Sequence, residues 1–393
     1  MIERAQTLSK TLIALRRQVH RHPELGFQEH ETARLVAERL KELDIAVQTG
    51  VGKTGVVGNL GSEGPCIALR ADMDALPIQE ENDVPYASQV PGVMHACGHD
   101  VHVACLLGAA QLLAEEEAAG RLPGRVRFLF QPSEEGADEE GLSGAMRMMD
   151  EGVMEGVGAV LGLHVWADLE VGAISLREGT MTAYPDGFRL VITGQEAHGA
   201  FPQQGFDAIT IAAQVINALQ TVISRRLDPT RGRVLTIGTI KAGTKSNIVA
   251  GKVTMTGTIR TFEEETRETL MAEMERACGV ARALGGDYEL TFTFGYVPVV
   301  NDPGMVQLVR QVGSDLLGAE NVREAPLEMG GEDFSYLSRQ APGCFFWLGG
   351  ATPGEPPRRH HHPRFDVDER CLPLGAALLA ESALRWLSGA GER

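Results

Sequence analysis

The nine residues MHACGHDVH, at positions 94–102, concentrate metal-binding side chains in one short stretch. Cys97 and His99 are separated by one glycine, so a locally extended backbone would project the thiol and the imidazole to the same side. Proteins hold divalent metals through deprotonated sulfur, imidazole nitrogen and carboxylate oxygen. Alone, a Cys-x-His pair is weak evidence, because a buried cysteine beside a surface histidine gives the same pattern. The pair predicts a metal site only if further donors converge on it.

Further donors occur at three distant places in the chain. Glu134 and Glu135 end the segment QPSEE (131–135), His164 lies in GLHVW, and three histidines stand in RRHHHPRFD (358–366). Two adjacent carboxylates suggest a division of labour, in which one holds metal and its neighbour takes a proton from water and returns it. A solvated acidic loop is the alternative, since GADEEG follows directly. The end of an apolar strand favours the catalytic interpretation.

Short apolar runs that end in polar residues alternate along the chain with Ala- and Leu-rich helical stretches. Four of these runs are CIALRADMD (66–74), RVRFLFQPSEE (125–135), AVLGLHVW (159–166) and CFFWLGG (344–350). Such alternation predicts an α/β domain with helices on both faces of a sheet. Ligands bind beyond the carboxyl ends of strands in sheets of this kind. Asp72, Asp74, Glu134, Glu135 and His164 all fall at predicted strand ends.

Residues 183–294 show a different order of predicted strands and helices. It comprises a strand in FRLVITG (188–194), a helix over 205–227, strands over 233–243 and 252–262, a helix over 263–284 and a strand from 288. The order β-α-β-β-α-β is the ferredoxin-like pattern. We therefore predict a catalytic domain in two segments, 1–182 and 295–393, interrupted by an inserted α+β domain over 183–294.

Composition restricts the partners. The chain of 393 residues carries 53 acidic and 36 basic side chains, a formal charge of -17, which opposes binding to nucleic acids and anionic membranes. No apolar run approaches the roughly 20 residues of a membrane span, and the amphipathic N-terminus is unlike a signal peptide. Six scattered cysteines do not form a disulfide framework. We predict a cytoplasmic protein that binds neither nucleic acid nor a membrane.

Seven motifs, spread in order over essentially the whole chain, resemble one family. They are RADMDALPI, MHACGHDVH, QPSEEG, GLHVW, AHGAFPQQGFDAI, MGGEDFS and HHHPRFDVDE. The resemblance is to amidohydrolases that include hippurate hydrolase, auxin-conjugate hydrolase and N-acyl-L-amino-acid amidohydrolase, a branch of the aminoacylase and carboxypeptidase metallopeptidases. It implies a zinc-peptidase-like catalytic domain, with helices on both faces of a mixed sheet, and an inserted lid and dimerisation domain.

The resemblance also implies two divalent metal ions per subunit. The ligands that it assigns, with Cys97 bridging, are Cys97, His99, Glu135, His164 and His361. Glu134 would be the general base and acid. The family's last histidine stands two positions before a proline, which selects His361 over its two histidine neighbours. Zinc is the first expectation for the metal, and manganese, cobalt and nickel are alternatives because the donor set accepts them.

One position departs from related branches of the family. They carry His-x-Asp where this chain reads Asp72-Met73-Asp74, so one histidine ligand is absent and Cys97 with His99 would complete the coordination. Asp74 would then orient a ligand, although a strand-terminating turn is the alternative.

The inserted domain carries three further residues that the resemblance assigns. His198 would reach the active site of a second subunit and stabilise the oxyanion formed when water attacks the amide. Asn247 and Arg260 would grip the carboxylate of the substrate, for which the forked donors of arginine are suited.

These expectations define one function and its rivals. The predicted reaction is hydrolysis of the amide bond of an N-acyl-L-amino acid, hippurate-like or N-acetylated, by a homodimer or homotetramer. A carboxypeptidase or dipeptidase with the same site is the closest alternative, and a deacetylase of N-acetylated diaminopimelate or cysteine is another. The inserted unit as an RNA-binding module is disfavoured, because strands RVLTIGTI and KVTMTGTI lack stacking aromatics. A structural zinc protein would not need Glu134.

Overall fold

The computed structural model describes residues 1–390, which form strands and helices in alternation. The strands are β1 (Ala46–Val51), β2 (Gly55–Leu60), β3 (Cys66–Asp72), β4 (Arg125–Gln131), β5 (Ala159–Glu170), β6 (Ile174–Leu176), β7 (Gly179–Thr180), β8 (Tyr184–Thr193), β9 (Ala197–His198), β10 (Arg233–Ala242), β11 (Ile248–Val249), β12 (Lys252–Thr261), β13 (Asp287–Thr293), β14 (Val300–Asn301), β15 (Val322–Glu324) and β16 (Gly343–Ala351). The helices are α1 (Ile2–Thr7), α2 (Ser9–Arg21), α3 (His30–Glu42), α4 (His99–Ala118), α5 (Gly144–Asp150), α6 (Ala208–Arg225), α7 (Glu264–Cys278), α8 (Val280–Ala283), α9 (Pro303–Leu317), α10 (Phe334–Ser338) and α11 (Cys371–Ala390). Single 3-10 turns occupy Pro202–Gln204 and Ala319–Asn321.

The chain divides into two compact units. The first comprises Met1–Met181, Val299–Pro326 and the described residues from Asp333 onward, and the second comprises Thr182–Pro298 and Leu327–Glu332. None of the described helices is both long enough and apolar enough to cross a lipid bilayer.

The first unit is built on an eight-stranded mixed sheet with the order β1-β2-β4-β3-β5-β16-β6-β15. Successive side chains of a strand point to opposite faces. On β3, Ile67 and Leu69 join one apolar core while Ala68 joins another. Helices α2, α4 and α11 pack on the first face, and α5 and α10 lie on the second. The predicted class, a mixed sheet with helices on both faces, is confirmed.

The central strands β4, β3, β5 and β16 run parallel. Their carboxyl ends therefore meet at one edge of the sheet, which we call the ligand edge. The register aligns Asp72 at the end of β3 with Gln131 at the end of β4, and His164 in β5 with Trp347 in β16. Strand pairing alone thus brings residues that are far apart in sequence to the same level.

The second unit contains a four-stranded antiparallel sheet with the order β10-β12-β8-β13. Helices α6, α7 and α8 cover its apolar face, where Leu190 and Met255 pack against Val215 and Leu270. Along the chain the elements follow the β-α-β-β-α-β order that the sequence pattern indicates, supplemented by the short β9 and β11 pair. The roles of this unit as a lid and dimerisation surface stay predictions.

Candidate metal centre

Five side chains from four separate segments of the first unit converge at the ligand edge. Ligand atoms of Cys97, His99 and His164 lie within 4.8 Å of one another, and so do those of Cys97, Glu135 and His361. Cys97 belongs to both groups. The structure therefore brings together all five residues that the sequence analysis assigned as ligands, in two triads with a common thiol.

A glycine shapes the backbone between the first two donors. Gly98 has a φ of +94° and immediately precedes α4, a conformation that costs glycine little because it has no Cβ. A Cβ at this position would lie 2.4 Å from Cγ1 of Val165. Gly98 thus allows the chain to pass against β5 while it presents both Cys97 and His99.

Asp74 holds two of the candidate metal ligands, His99 and Glu135, in place. Nδ1 of His99 donates to the carbonyl oxygen of Asp74 at 2.8 Å and lies 3.1 Å from its Oδ1. The backbone N–H of Glu135 donates to Oδ2 of Asp74 at 2.9 Å. His99 is fully buried, and its Nε2 has no hydrogen-bond partner in the described part of the chain. One ring nitrogen anchored and the other left open is typical of a metal-binding imidazole.

His164 shows the same arrangement. Its Nδ1 donates to the carbonyl oxygen of Val165 at 2.7 Å, and its Nε2 lies 3.4 Å from Sγ of Cys97. Burial, together with the neighbouring His102 and His360, holds the pKa of His164 well below its ordinary value. The neutral imidazole, which is the form that coordinates metal, is therefore favoured.

Carboxylates near the site shift the pKa values of Cys97 and His99. Burial and the carboxylates of Glu135 and Glu134 raise the pKa of the Cys97 thiol well above its ordinary value. Burial disfavours protonation of His99, but Asp72 and Asp74 outweigh it and raise the pKa of that imidazole to about 10. A divalent cation would supply the positive charge that these groups lack, and thiolate, imidazole and carboxylate donors fit one.

The histidine triplet at 360–362 divides its roles. Nε2 of His361 lies 3.0 Å from Oε1 of Glu135. His360 uses both ring nitrogens, because Nε2 accepts from the N–H of Ala167 at 3.1 Å and Nδ1 donates to the carbonyl oxygen of Cys97 at 3.2 Å. The geometry thus supports His361 as the donor. His360 instead holds the backbone of Cys97, a role that the sequence analysis missed because the three histidines look alike in sequence.

Glu134 is buried. One oxygen of its carboxylate lies within 4.8 Å of ligand atoms of His99 and Glu135. The preceding Ser133 has a φ of +42°, and its N–H donates to Oε1 of Glu29 at 2.8 Å. Glu29 is fully buried and also accepts from the hydroxyl of Thr54 at 2.5 Å. Glu29 is not among the residues predicted from the sequence, because a charged residue at the start of an amphipathic helix is usually solvated.

A network of buried ion pairs and hydrogen bonds lies next to the ligand edge. Arg70, fully buried on β3, donates to Asp72 at 2.7 Å, to Oε1 of Gln131 at 2.9 Å and to Asp333 at 2.9 Å. Arg70 and the nearby histidines outweigh burial and hold the pKa of Asp72 well below its ordinary value. The sequence signal for this network is one arginine inside the apolar run CIALRAD.

Two histidines of the opening motif, His95 and His102, lie outside both triads. Nδ1 of His102 donates to Asp72 at 2.5 Å, and its Nε2 accepts from the N–H of Val165 at 2.9 Å. His95 is buried, and burial lowers its pKa to about 4. It belongs to neither of the triads that contain Cys97.

The second unit holds the three remaining predicted residues. His198, on β9, is exposed and pairs with Ile248 on β11, next to Asn247. Arg260 is partly buried near the end of β12, where it pairs with Pro185 at the start of β8. The ten-residue strand β8 lies between these two places. Within one copy, His198 and Asn247 are neighbours and Arg260 is remote from both.

Known proteins resemble this chain over nearly its full length. A model of peptidase family M20/M25/M40 matches residues 68–385. N-acetylcysteine deacetylase of Bacillus subtilis (strain 168) is 40% identical over 377 residues, 95% of this chain and 96% of that protein. Thermostable carboxypeptidase 2 of Saccharolobus solfataricus is 40% identical over 386 residues, 95% of each chain. The solved structure of the Bacillus subtilis YXEP protein, a dinuclear metal binding peptidase, is 37% identical with a TM-score of 0.84 over 98% of this chain and 99% of that one.

Proposed function

This chain belongs to peptidase family M20/M25/M40, and from that premise we propose that it is a hydrolase that cleaves the amide bond of N-acyl-L-amino acids with two divalent metal ions. The observation that carries the proposal is the pair of donor triads that share Cys97, with the buried Glu134 beside them. Two triads with one common thiol suit two neighbouring ions, and a carboxylate beside them suits proton transfer.

The residues that would hold the ions are Cys97, His99, Glu135, His164 and His361. When bound, such ions polarise a carbonyl oxygen and lower the pKa of water. We infer zinc, because thiolate and imidazole donors together favour it, and manganese, cobalt or nickel would fit the same donors.

The protein's own residues would perform the remaining chemistry. Glu134 accepts the proton of the attacking water and delivers it to the nitrogen of the departing amino acid. Asp74 keeps the imidazole of His99 and the backbone of Glu135 in place throughout, since it already bonds both. The leaving group departs as a neutral amine, which avoids expulsion of an amide anion.

Substrate recognition would come from the second unit. The guanidinium of Arg260 bonds backbone and hydroxyl oxygens of Asp186 and Thr258, and burial lowers its pKa. A half-buried guanidinium that bonds no carboxylate within the described residues suits the α-carboxylate of an acylated amino acid.

The strand geometry supports an active site shared by two copies. From Pro185, the partner of Arg260, to Thr193, where β8 ends before β9, the strand spans roughly 26 Å at about 3.3 Å per residue. An N-acyl amino acid is far shorter. His198 and Arg260 can therefore serve the same substrate only if they come from different copies. We propose that His198 and Asn247 act on the partner's substrate in a homodimer or larger assembly.

A carboxypeptidase or dipeptidase activity is the second candidate, because a relative with the same 40% identity is a carboxypeptidase. Both reactions break an amide bond next to a free α-carboxylate. The test is a side-by-side assay of hippurate, N-acetyl amino acids, N-acylated dipeptides and free dipeptides with the zinc-loaded enzyme. A higher kcat/KM on N-acyl amino acids supports the first function, and preference for the peptides supports the second.

A substitution of Glu134 tests its proposed role in proton transfer. We expect Glu134→Gln to keep two metal ions and the parent's thermal stability and to lose at least about 1000-fold in kcat. Glu139→Gln, on the exposed side of the same loop, is the matched control and should retain full activity. Substantial turnover by Glu134→Gln would contradict the assignment.

A further inference from the structure

Arg16 is a cation in the interior of the first unit that the proposed reaction does not use. It lies on α2, and none of its side chain is exposed. Its Nε donates to Asp100 at 2.6 Å, one NH2 group to Asp366 at 3.1 Å and the other to Glu369 at 3.3 Å. One guanidinium thus joins three carboxylates from two segments that are distant in sequence, one at Asp100 and one at 366–369.

Two of these carboxylates adjoin the candidate metal donors. Asp100 directly follows His99 in the first turn of α4 and also bonds Nδ1 of His20 at 2.8 Å. Asp366 follows His361 by five residues and accepts a second hydrogen bond, from the hydroxyl of Tyr86, at 2.9 Å. Arg16 therefore connects the segment of Cys97 and His99 to the segment of His361.

The charges make this connection strong. Burial disfavours the guanidinium, but Asp100 and Asp366 outweigh it and keep the pKa of Arg16 above its ordinary value. The three hydrogen bonds from one rigid guanidinium leave little freedom for the two segments to shift.

We propose that Arg16 is a positioning residue for the metal pair, which sets the distance between the donors of residues 97–99 and His361 from outside the coordination sphere. This inference rests on the proposed function, since it requires those donors to bind metal. Groups that orient metal ligands without touching the metal change its affinity by about 10- to 100-fold when they are removed.

The test compares Arg16→Met with Arg17→Met. Arg17 is the next residue on α2, binds Glu369 at 2.8 and 2.6 Å and stacks on Tyr86, but neither Asp100 nor Asp366 is a hydrogen-bond partner of Arg17 in the described part of the chain. Zinc stoichiometry and dissociation constants would be measured by competition with a chromophoric chelator. We expect Arg16→Met to bind zinc about 10- to 100-fold more weakly and Arg17→Met to match the parent.

Two further variants keep the test decisive. Leu40→Ala removes a fully buried side chain of α3, so it destabilises the protein without altering the Arg16 contacts. It should keep the parent's zinc affinity, which would separate positioning from general stability. Asp366→Asn removes one of the three carboxylate charges. We expect it to weaken the binding of only the metal ion held through His361. If Arg16→Met does not fold, the zinc affinity of Asp366→Asn tests the positioning role instead.

The outcomes are distinguishable. Parental zinc affinity in folded Arg16→Met, or in Asp366→Asn, overturns the positioning role and leaves the proposed function standing. An equal loss in Leu40→Ala also overturns it, because stability alone would then explain the effect. A parent protein that binds no zinc, manganese, cobalt or nickel overturns the proposed function and this inference with it.

Discussion

At the scale of single residues, hydrogen bonding separates the candidate metal-binding histidines from the supporting ones. His99 and His164 each anchor Nδ1 on a carbonyl oxygen and leave Nε2 directed at the cluster. In His102 and His360, both ring nitrogens form hydrogen bonds to neighbouring protein groups. Residue type cannot distinguish these cases, because the partner of the second nitrogen decides which lone pair remains available to a metal.

The shared thiol leads to a prediction about metal content. Cys97→Ala removes the donor common to both triads, so we expect the bound metal to fall from two ions to one or none. Metal analysis after gel filtration measures this. Cys105→Ala, which alters a fully buried cysteine on α4, the helix that begins at His99, should retain both ions. Two ions held by Cys97→Ala with parental affinity would refute the ligand assignment.

Glu29 leads to a prediction about pH. Burial, partly offset by the hydrogen bond from Thr54, raises its pKa from 4.5 to about 7. Over that pH range the folded state keeps a proton that the unfolded state releases, so the free energy of unfolding falls as pH rises. Glu29→Gln replaces the protonated form with a neutral side chain of similar shape and removes this contribution.

Urea unfolding at pH 5 and pH 8 checks the prediction. Relative to Glu29→Gln, the parent should lose up to about 3 kcal/mol of unfolding free energy between the two pH values. Glu139→Gln, an exposed change, should follow the parent. If the parent and Glu29→Gln show parallel pH profiles, the buried carboxyl is not the cause.

At the scale of elements, the four parallel strands position the site. Their carboxyl ends share one edge, and the loops after β3 and β4 supply Asp74 and Glu135 there. A helix start supplies His99 to the same place, through the left-handed glycine before α4. The donors are held by rigid elements on each side, which favours a preorganised site.

Gly98 allows a test of this element junction. We expect Gly98→Ala to lower the unfolding free energy by about 2 kcal/mol or more, since a left-handed alanine costs about 1–2 kcal/mol and its Cβ would meet Val165. It should also weaken zinc binding. Gly92→Ala is the control, because Gly92 has a φ of +77° with nothing within 4 Å of a Cβ, so only the backbone strain applies. Similar zinc affinity in both variants would show that Val165 does not confine the loop.

At the scale of the whole molecule, the second unit separates residues that the proposed reaction needs together. His198 lies beyond one end of β8 and Arg260 lies beside the other. Several large apolar side chains of this unit, including Phe201, Ile240 and Phe294, are exposed, which is typical of surfaces that bind another protein. Both features support an assembly of at least two copies.

Mixing two inactive variants tests the shared site. His198→Ala and Glu134→Gln should each be nearly inactive alone. If His198 serves the partner, a mixed dimer contains one intact site, so an equal mixture after subunit exchange should recover about a quarter of the parental activity. Mixing Glu134→Gln with the double variant Glu134→Gln/His198→Ala is the control and should recover none. No recovery in the first mixture, with exchange demonstrated, would place His198 in its own subunit's site.

The sequence by itself determined the fold class, the ferredoxin-like order of the insertion and the list of candidate donors, because apolar periodicity and residue chemistry are local properties of the chain. Its motifs also identified the family that the relatives confirm. The tertiary structure alone decided which atoms meet. The convergence of the two triads and the hydrogen bonds of His360, Glu29, Arg70 and Arg16 depend on strand register and burial. Those arise only when segments hundreds of residues apart pack together, which no local pattern encodes.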